Sequence, residues 1–352
     1  MRRFYINILF LFIASFACAQ APDGYYNTAQ DKYGEDLMEA LHLIIKDHTV
    51  LSYTPGIWNA FYETDVRSDG KVWDMYSSCD FTFGDDQDSG SGGTEECQFY
   101  NREHSFPRSW FGGTVEPMNT DLFHIYASDK KVNAVRSSYP FGEVGTATYT
   151  SSNGSKLGSS SYAGYSGTVF EPIDEYKGDF ARTYFYMATR YYDQMYTWSN
   201  DITNGTQHPA FDDWVVSLLI EWHLNDPVSE KEINRNNTIY ENYQHNRNPF
   251  IDNPDFVERI WDSQASSDYT EAPYQVNIFP NPAQDNISIT SPYLGVNVIV
   301  IYSIDGGEIK RFETANYSEQ IQIPVDDIAN GIYIVEITGG ETSHSVRLVI
   351  SR

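Results

Sequence analysis

The chain of 352 residues is poor in basic side chains: 23 Lys and Arg stand against 49 Asp and Glu, a formal net charge of −26. That balance excludes capture of nucleic acid by a general positive field. Any role on a polyanion has to rest on a local basic patch or a bound cation. Cysteine is almost absent, with three in all. Beyond the first 19 residues no apolar run reaches the ~18 residues that would cross a bilayer. What is abundant is apolar and aromatic matter, at 41% hydrophobic with 27 Tyr and 20 Phe, which excludes wholesale disorder.

Residues 1–19, MRRFYINILFLFIASFACA, have a basic start, an apolar run and a small-x-small end at Ala17-Cys18-Ala19. This is the three-part pattern of a secretory signal. A lipid anchor on Cys18 fits less well, because Ser15 and Phe16 stand where such a signal wants Leu and a small residue. Cleavage after Ala19 leaves Cys79 and Cys97. Two cysteines in an exported chain are expected to pair, and closing a loop of this size stabilises by about 3 kcal/mol in the chain-entropy model. They are too few for a structural zinc site without several histidines.

Residues 20–261 read as one aromatic-rich domain, 262–273 as a polar linker, and 274–352 as a small all-β sandwich. In the last of these, short alternating segments such as NISIT and GIYIVEIT are punctuated by Asn330-Gly331 and Gly339-Gly340. Within the first, Phe180, Tyr184, Met187, Ala188, Tyr191 and Met195 fall on one helical face, and Phe211 to Trp222 repeat the pattern. Ser229 and Glu232 have capping-box spacing. Asn253-Pro254 predicts an N-cap and first-turn Pro. The Ser- and Gly-rich stretch 146–167 predicts a long loop.

The chemistry-bearing text lies between Tyr100 and Val144. Glu103 and His104 are adjacent, and His124 follows twenty residues later. From Arg102 to Arg136 five bases face four acids, so the local charge balance is the reverse of the whole chain's. A carboxylate and an imidazole can hold one divalent ion. A second imidazole can take a proton from water near neutral pH, and an arginine can neutralise a phosphate. Neighbours on a regular strand face opposite sides, so Glu103 and His104 share a site only at a strand end or bulge. These residue types alone support a metal-dependent hydrolase, with zinc as eligible as magnesium.

The run NREHSFPRSWF, then PMNTDLFHIY and VNAVRSSYPFGEV, resembles the bacterial secreted endonuclease I family, and further blocks extend the resemblance over most of residues 60–261. The resemblance implies an α+β fold with a ββα-metal nuclease core embedded in a largely helical domain. It implies His104 as general base and Glu103 as metal ligand. The second ligand falls on His124, in the Asp121-x-x-His124 step, with Asn133 as fallback. Arg108 and Arg136 are the candidates for the phosphate. The ion implied is Mg2+, with Ca2+ or Mn2+ as alternatives, and the substrate is DNA, with RNA left open. Relatives carry DLHH where this chain has Asp121-Leu122-Phe123-His124, and RSN where it has Arg136-Ser137-Ser138.

The C-terminal run NIFPNPAQDNISI, with IYSIDGGEIKRF and a final RLVISR, resembles the type-A sorting domain of type IX secretion cargo. That implies an outer-membrane secretion machinery as partner and a secreted or cell-surface protein, with no permanent membrane span. The reading is a secreted, metal-dependent endonuclease of low sequence preference. Two alternatives stay open, an inactive surface module that binds nucleic acid on the same scaffold and a zinc phosphoesterase of small substrates.

Overall fold

The structure is a computed structural model that describes residues 21–262 throughout and most of 277–352. The leader read over 1–19 and the linker read over 262–273, save Asp262, lie outside the described residues. The chain divides into two units, Met1–Ser266 and Ser267–Arg352, each taken by itself below. Among the described residues no helix is long and apolar enough to cross a membrane.

In the first unit, α1 (Gly34–Ile45) and α2 (Gly56–Thr64) bury Leu37, Leu41, Ile45, Ile57 and Phe61 in the main core. Then come β1 (Tyr100–His104) and β2 (Ile125–Asp129), an antiparallel pair in unbroken register from Tyr100↔Asp129 to His104↔Ile125. Helix α3 (Lys130–Arg136) starts as β2 ends. Asp129 caps it, Oδ1 accepting from the Lys131 and Val132 amides at 2.7 and 3.0 Å. The other oxygen of Asp129 accepts from the Cys97 amide at 2.7 Å. Cys97 is bonded to Cys79, as the cysteine count predicts. One carboxylate therefore ties the bridged loop to the strand-helix corner.

Residues expected to form a long loop instead form a second sheet, β3 (Val144–Thr150), β4 (Lys156–Ser160) and β5 (Thr168–Glu171), antiparallel in that order. Its first strand is mostly exposed. The apolar alternation that would have marked it in the sequence is therefore missing, and ladder hydrogen bonds with Thr and Tyr side chains carry it.

Helix α4 (Lys177–Arg190) is buried at nearly every position and not along one stripe. A helix enclosed on all sides sits at the centre of its unit, and its polar groups are met internally: Arg182 donates to Glu232 at 2.8 Å through Nη2. The helix stops at Arg190, so Met195 belongs to a separate short turn. Then follow α5 (Asp213–Asn225), α6 (Glu230–Thr238), α7 (Pro249–Asp252) and α8 (Phe256–Trp261). The Ser229–Glu232 capping box is formed as the spacing predicts. The cap expected at Asn253 is not: α8 begins at Phe256 without a side-chain cap, and Asn248 caps α7.

The second unit contains β6 (Asn277–Phe279), β7 (Asn286–Thr290), β8 (Val296–Ser303), β9 (Glu308–Glu313), β10 (Gln320–Pro324), β11 (Gly331–Gly339) and β12 (Thr342–Ile350). They form two antiparallel sheets, in the orders β10–β7–β6 and β12–β11–β8–β9. Ile287 and Ile289, Ile299 and Ile301, and Val335 and Ile337 alternate into a shared core. This is the sandwich expected from the alternation.

Candidate active site

The regular β1–β2 register sends alternate side chains to opposite faces. Asn101 and Glu103 face α3, where Asn133 Nδ2 donates to Asn101 Oδ1 at 2.7 Å and Arg136 Nη1 donates to Glu103 Oε1 at 3.1 Å. Arg102 and His104 face the other way, against Tyr53 and Trp58. No bulge turns residues 103 and 104 to one side. The two side chains stay on opposite faces, and β1 ends at His104.

Glu103 is 3% exposed. Its Oε1 also accepts from the Tyr76 hydroxyl at 3.0 Å, whereas Oε2 accepts no hydrogen bond among the described residues. Burial raises the carboxyl pKa, against the opposing pull of Arg136 and Tyr76. Asn133 spends its Nδ2 on Asn101 and, at 3.4 Å, on the Arg102 carbonyl, which leaves Oδ1 unused. A free carboxylate oxygen and a free carboxamide oxygen thus remain on the α3 side of the hairpin. Among the described residues no cluster of three His, Cys, Asp or Glu could hold a metal. The donor set nonetheless fits Mg2+, which takes oxygen ligands, keeps several waters and needs one or two carboxylates plus substrate phosphate.

His104 Nε2 lies 3.1 Å from the Asn119 carbonyl. A carbonyl only accepts, so Nε2 carries the hydrogen and the neutral ring's lone pair is on Nδ1. The Asn119 and Thr120 side chains both donate to Glu116, at 2.8 and 2.7 Å, which fixes the turn presenting that carbonyl. Burial, the His124 ring, Arg108 and Arg102 together hold the His104 pKa well below 6.5, against the pull of the Asn119 bond. The ring is a neutral base at pH 7.

Two of the expected site residues are engaged elsewhere. His124 makes no hydrogen bond to Glu103 among the described residues. It is fully buried on the His104 side, ring centroids 5.4 Å apart, with Nε2 donating to the Met118 carbonyl at 2.6 Å. That nitrogen has no lone pair for a cation; the lone pair is on Nδ1, which is buried and makes no hydrogen bond among the described residues. Nearby Asp121 is likewise consumed, accepting from Tyr186, Tyr191, Gln244 and the Phe123 amide. Arg136 is not available to a phosphate either. It is 0% exposed and donates to Glu103, the His104 and Ser105 carbonyls and the Tyr184 hydroxyl. It braces the end of β1.

Arg108 is half-buried at the start of a short turn, Arg108–Phe111, and among the described residues its side chain forms no hydrogen bond or ion pair. Its guanidinium lies 5.4 Å from the Tyr53 ring. Arg182, Arg247 and Asn246 are buried and bonded within the fold. Trp214 and Trp222 are core.

The Endonuclease I model matches residues 33–255. The chain belongs to the Endonuclease I family. An extracellular ribonuclease of Bacillus subtilis (strain 168) is 38% identical over 261 residues, covering 71% of this chain and 83% of that protein. An extracellular ribonuclease of Bacillus amyloliquefaciens is 38% identical over 245 residues, or 67% of this chain and 78% of its own. Residues 277–351 match the secretion system C-terminal sorting domain. This Endonuclease I member is accordingly a nuclease acting on nucleic acid, secreted or held at the cell surface.

Sequence reasoning missed Tyr53, Tyr76, Asn119 and Tyr184. Each reaches the site through backbone position or a long tertiary contact, and no local spacing announces it. Asn101 was within reach, because it shares the strand parity of Glu103.

Proposed function

We propose that this chain hydrolyses phosphodiester bonds in DNA and RNA by attack of a water that His104 deprotonates, at a site where Glu103 and Asn133 hold one divalent ion. The observation that carries the reading is the Nε2 bond to the Asn119 carbonyl, which leaves Nδ1 as the proton acceptor at the end of the strand bearing Glu103. His104 Nδ1 takes a proton from water. The water oxygen bonds to phosphorus in line with the 3′ oxygen, that P–O bond breaks, and the departing oxygen takes a proton from solvent, giving 5′-phosphate and 3′-hydroxyl ends. Arg108, free of other partners, contacts the non-bridging oxygens. Glu103 and Asn133 offer oxygen donors to Mg2+, with Ca2+ or Mn2+ as alternatives, and the ion supplies positive charge to the phosphate and the leaving oxygen.

This route uses no 2′-hydroxyl, so it cuts DNA and RNA alike, and the ribonuclease names of the two Bacillus relatives support RNA as a substrate. A low grip on the product suits the acidic surface, because turnover needs release. The test is digestion of plasmid DNA and of RNA with Mg2+, with and without EDTA. Cleavage of both to 5′-phosphate ends, abolished by chelator, is expected. Cyclic 2′,3′-phosphate ends on RNA would overturn the water route, and binding without cutting would point to the inactive module.

A further inference from the structure

Arg102 stands on the same face of β1 as His104, two residues earlier. Its guanidinium carbon lies over two aromatic rings, 3.6 Å from the Tyr53 centroid and 4.4 Å from that of Trp58. Nη1 is pinned by the Tyr53 carbonyl at 2.6 Å and the Thr54 hydroxyl at 2.9 Å. The remaining nitrogens make no hydrogen bond, and Arg102 forms no ion pair among the described residues. Arg108 shares the Tyr53 ring, so two guanidiniums sit beside one aromatic with no carboxylate bonded to either. The nearest acidic influence on Arg102 is Asp88, whose carboxylate is bonded to Lys130, so both guanidiniums keep nitrogens open to an anion. Like charges this close repel, and the half-buried setting weakens solvent screening.

Residues i and i+2 of a strand lie about 6.7 Å apart. That is close to the step between successive phosphates along a nucleic-acid strand. We propose that Arg102, held on Tyr53 and Trp58, is the receptor for the phosphate one nucleotide away from the scissile one. This subsite rests on the nuclease reading above and adds a size requirement to it. Full activity needs a substrate with a second phosphate next to the bond that is cut. Arg102 reads charge and spacing and contacts no base edge, so the subsite carries no sequence preference.

The test compares three dinucleotides with Mg2+ on the full chain: one with a single phosphodiester, one also 5′-phosphorylated and one also 3′-phosphorylated. The wild type should favour one of the phosphorylated forms at least tenfold in kcat/KM. In Arg102→Gln that preference should fall to within about twofold of unity, with melting temperature used to confirm folding. Arg102→Lys, which keeps the charge and loses the flat fork, should restore part of it. Equal rates on all three by the wild type, or an unchanged preference in a folded Arg102→Gln, would overturn the subsite alone. Failure of the wild type to cut any of them or plasmid DNA would overturn the nuclease reading, and the subsite with it.

Discussion

Arg136 Nη1 lies 3.1 Å from Glu103 Oε1, with both side chains withdrawn from water. Removing one partner of such a pair leaves the other charge buried and uncompensated, a loss of about 3–5 kcal/mol. Arg136→Met should therefore lower the urea midpoint sharply as well as activity. A variant that unfolds like the wild type yet no longer cuts would return Arg136 to the chemistry.

His104→Ala should abolish plasmid nicking and leave the melting temperature close to the wild-type value. The depressed His104 pKa also sets the acid limb of kcat/KM. The base is neutral above its pKa, so activity should stay level down to about pH 6.5 and fall only below it. His124 is depressed as well. In the unfolded chain both imidazoles bind protons more readily than in the folded one. Their contribution to stability is thus fully present above about pH 6.5 and is lost on acidification. Urea unfolding across pH 5 to 8 checks the sign.

Asn133→Ala should raise the Mg2+ concentration for half-maximal cutting by about tenfold or more. His124→Ala should leave that concentration nearly unchanged while lowering stability, because its ring is a packed donor to Met118. A metal titration of both variants separates the two assignments. The reverse order would restore His124 as the ligand.

Cys97→Ser should cost about 3 kcal/mol by releasing the 18-residue separation between the cysteines. The Asp129 cap depends on the Cys97 amide for one of its bonds. Thiol reductant should therefore lower both the melting temperature and activity of the wild type, and leave the serine variant unmoved.

The elements with a strong period were legible in the sequence: α5, the capping box of α6 and the alternating strands of the second unit. The first strand of the second sheet was not, because solvent on most of its side chains erases the alternation that announces a strand. At the site, Glu103 and His104 could be found as a pair, and their separation to opposite faces follows from strand geometry once no bulge intervenes. The fate of Arg136 and His124 was hidden. A buried arginine that braces carbonyls and a half-buried one whose side chain makes no hydrogen bond are the same letter, and only burial and partners tell Arg136 from Arg108.

The unbroken β1–β2 register makes the hairpin a partition between opposite polarities. One side gathers the groups that attract a cation, the other those that attract an anion, and the two territories touch only at the tip where the ladder stops. On the proposed reading, reaction is confined to that rim. Inserting one residue into β1 would exchange the territories and silence the enzyme, whereas inserting two would keep the parity.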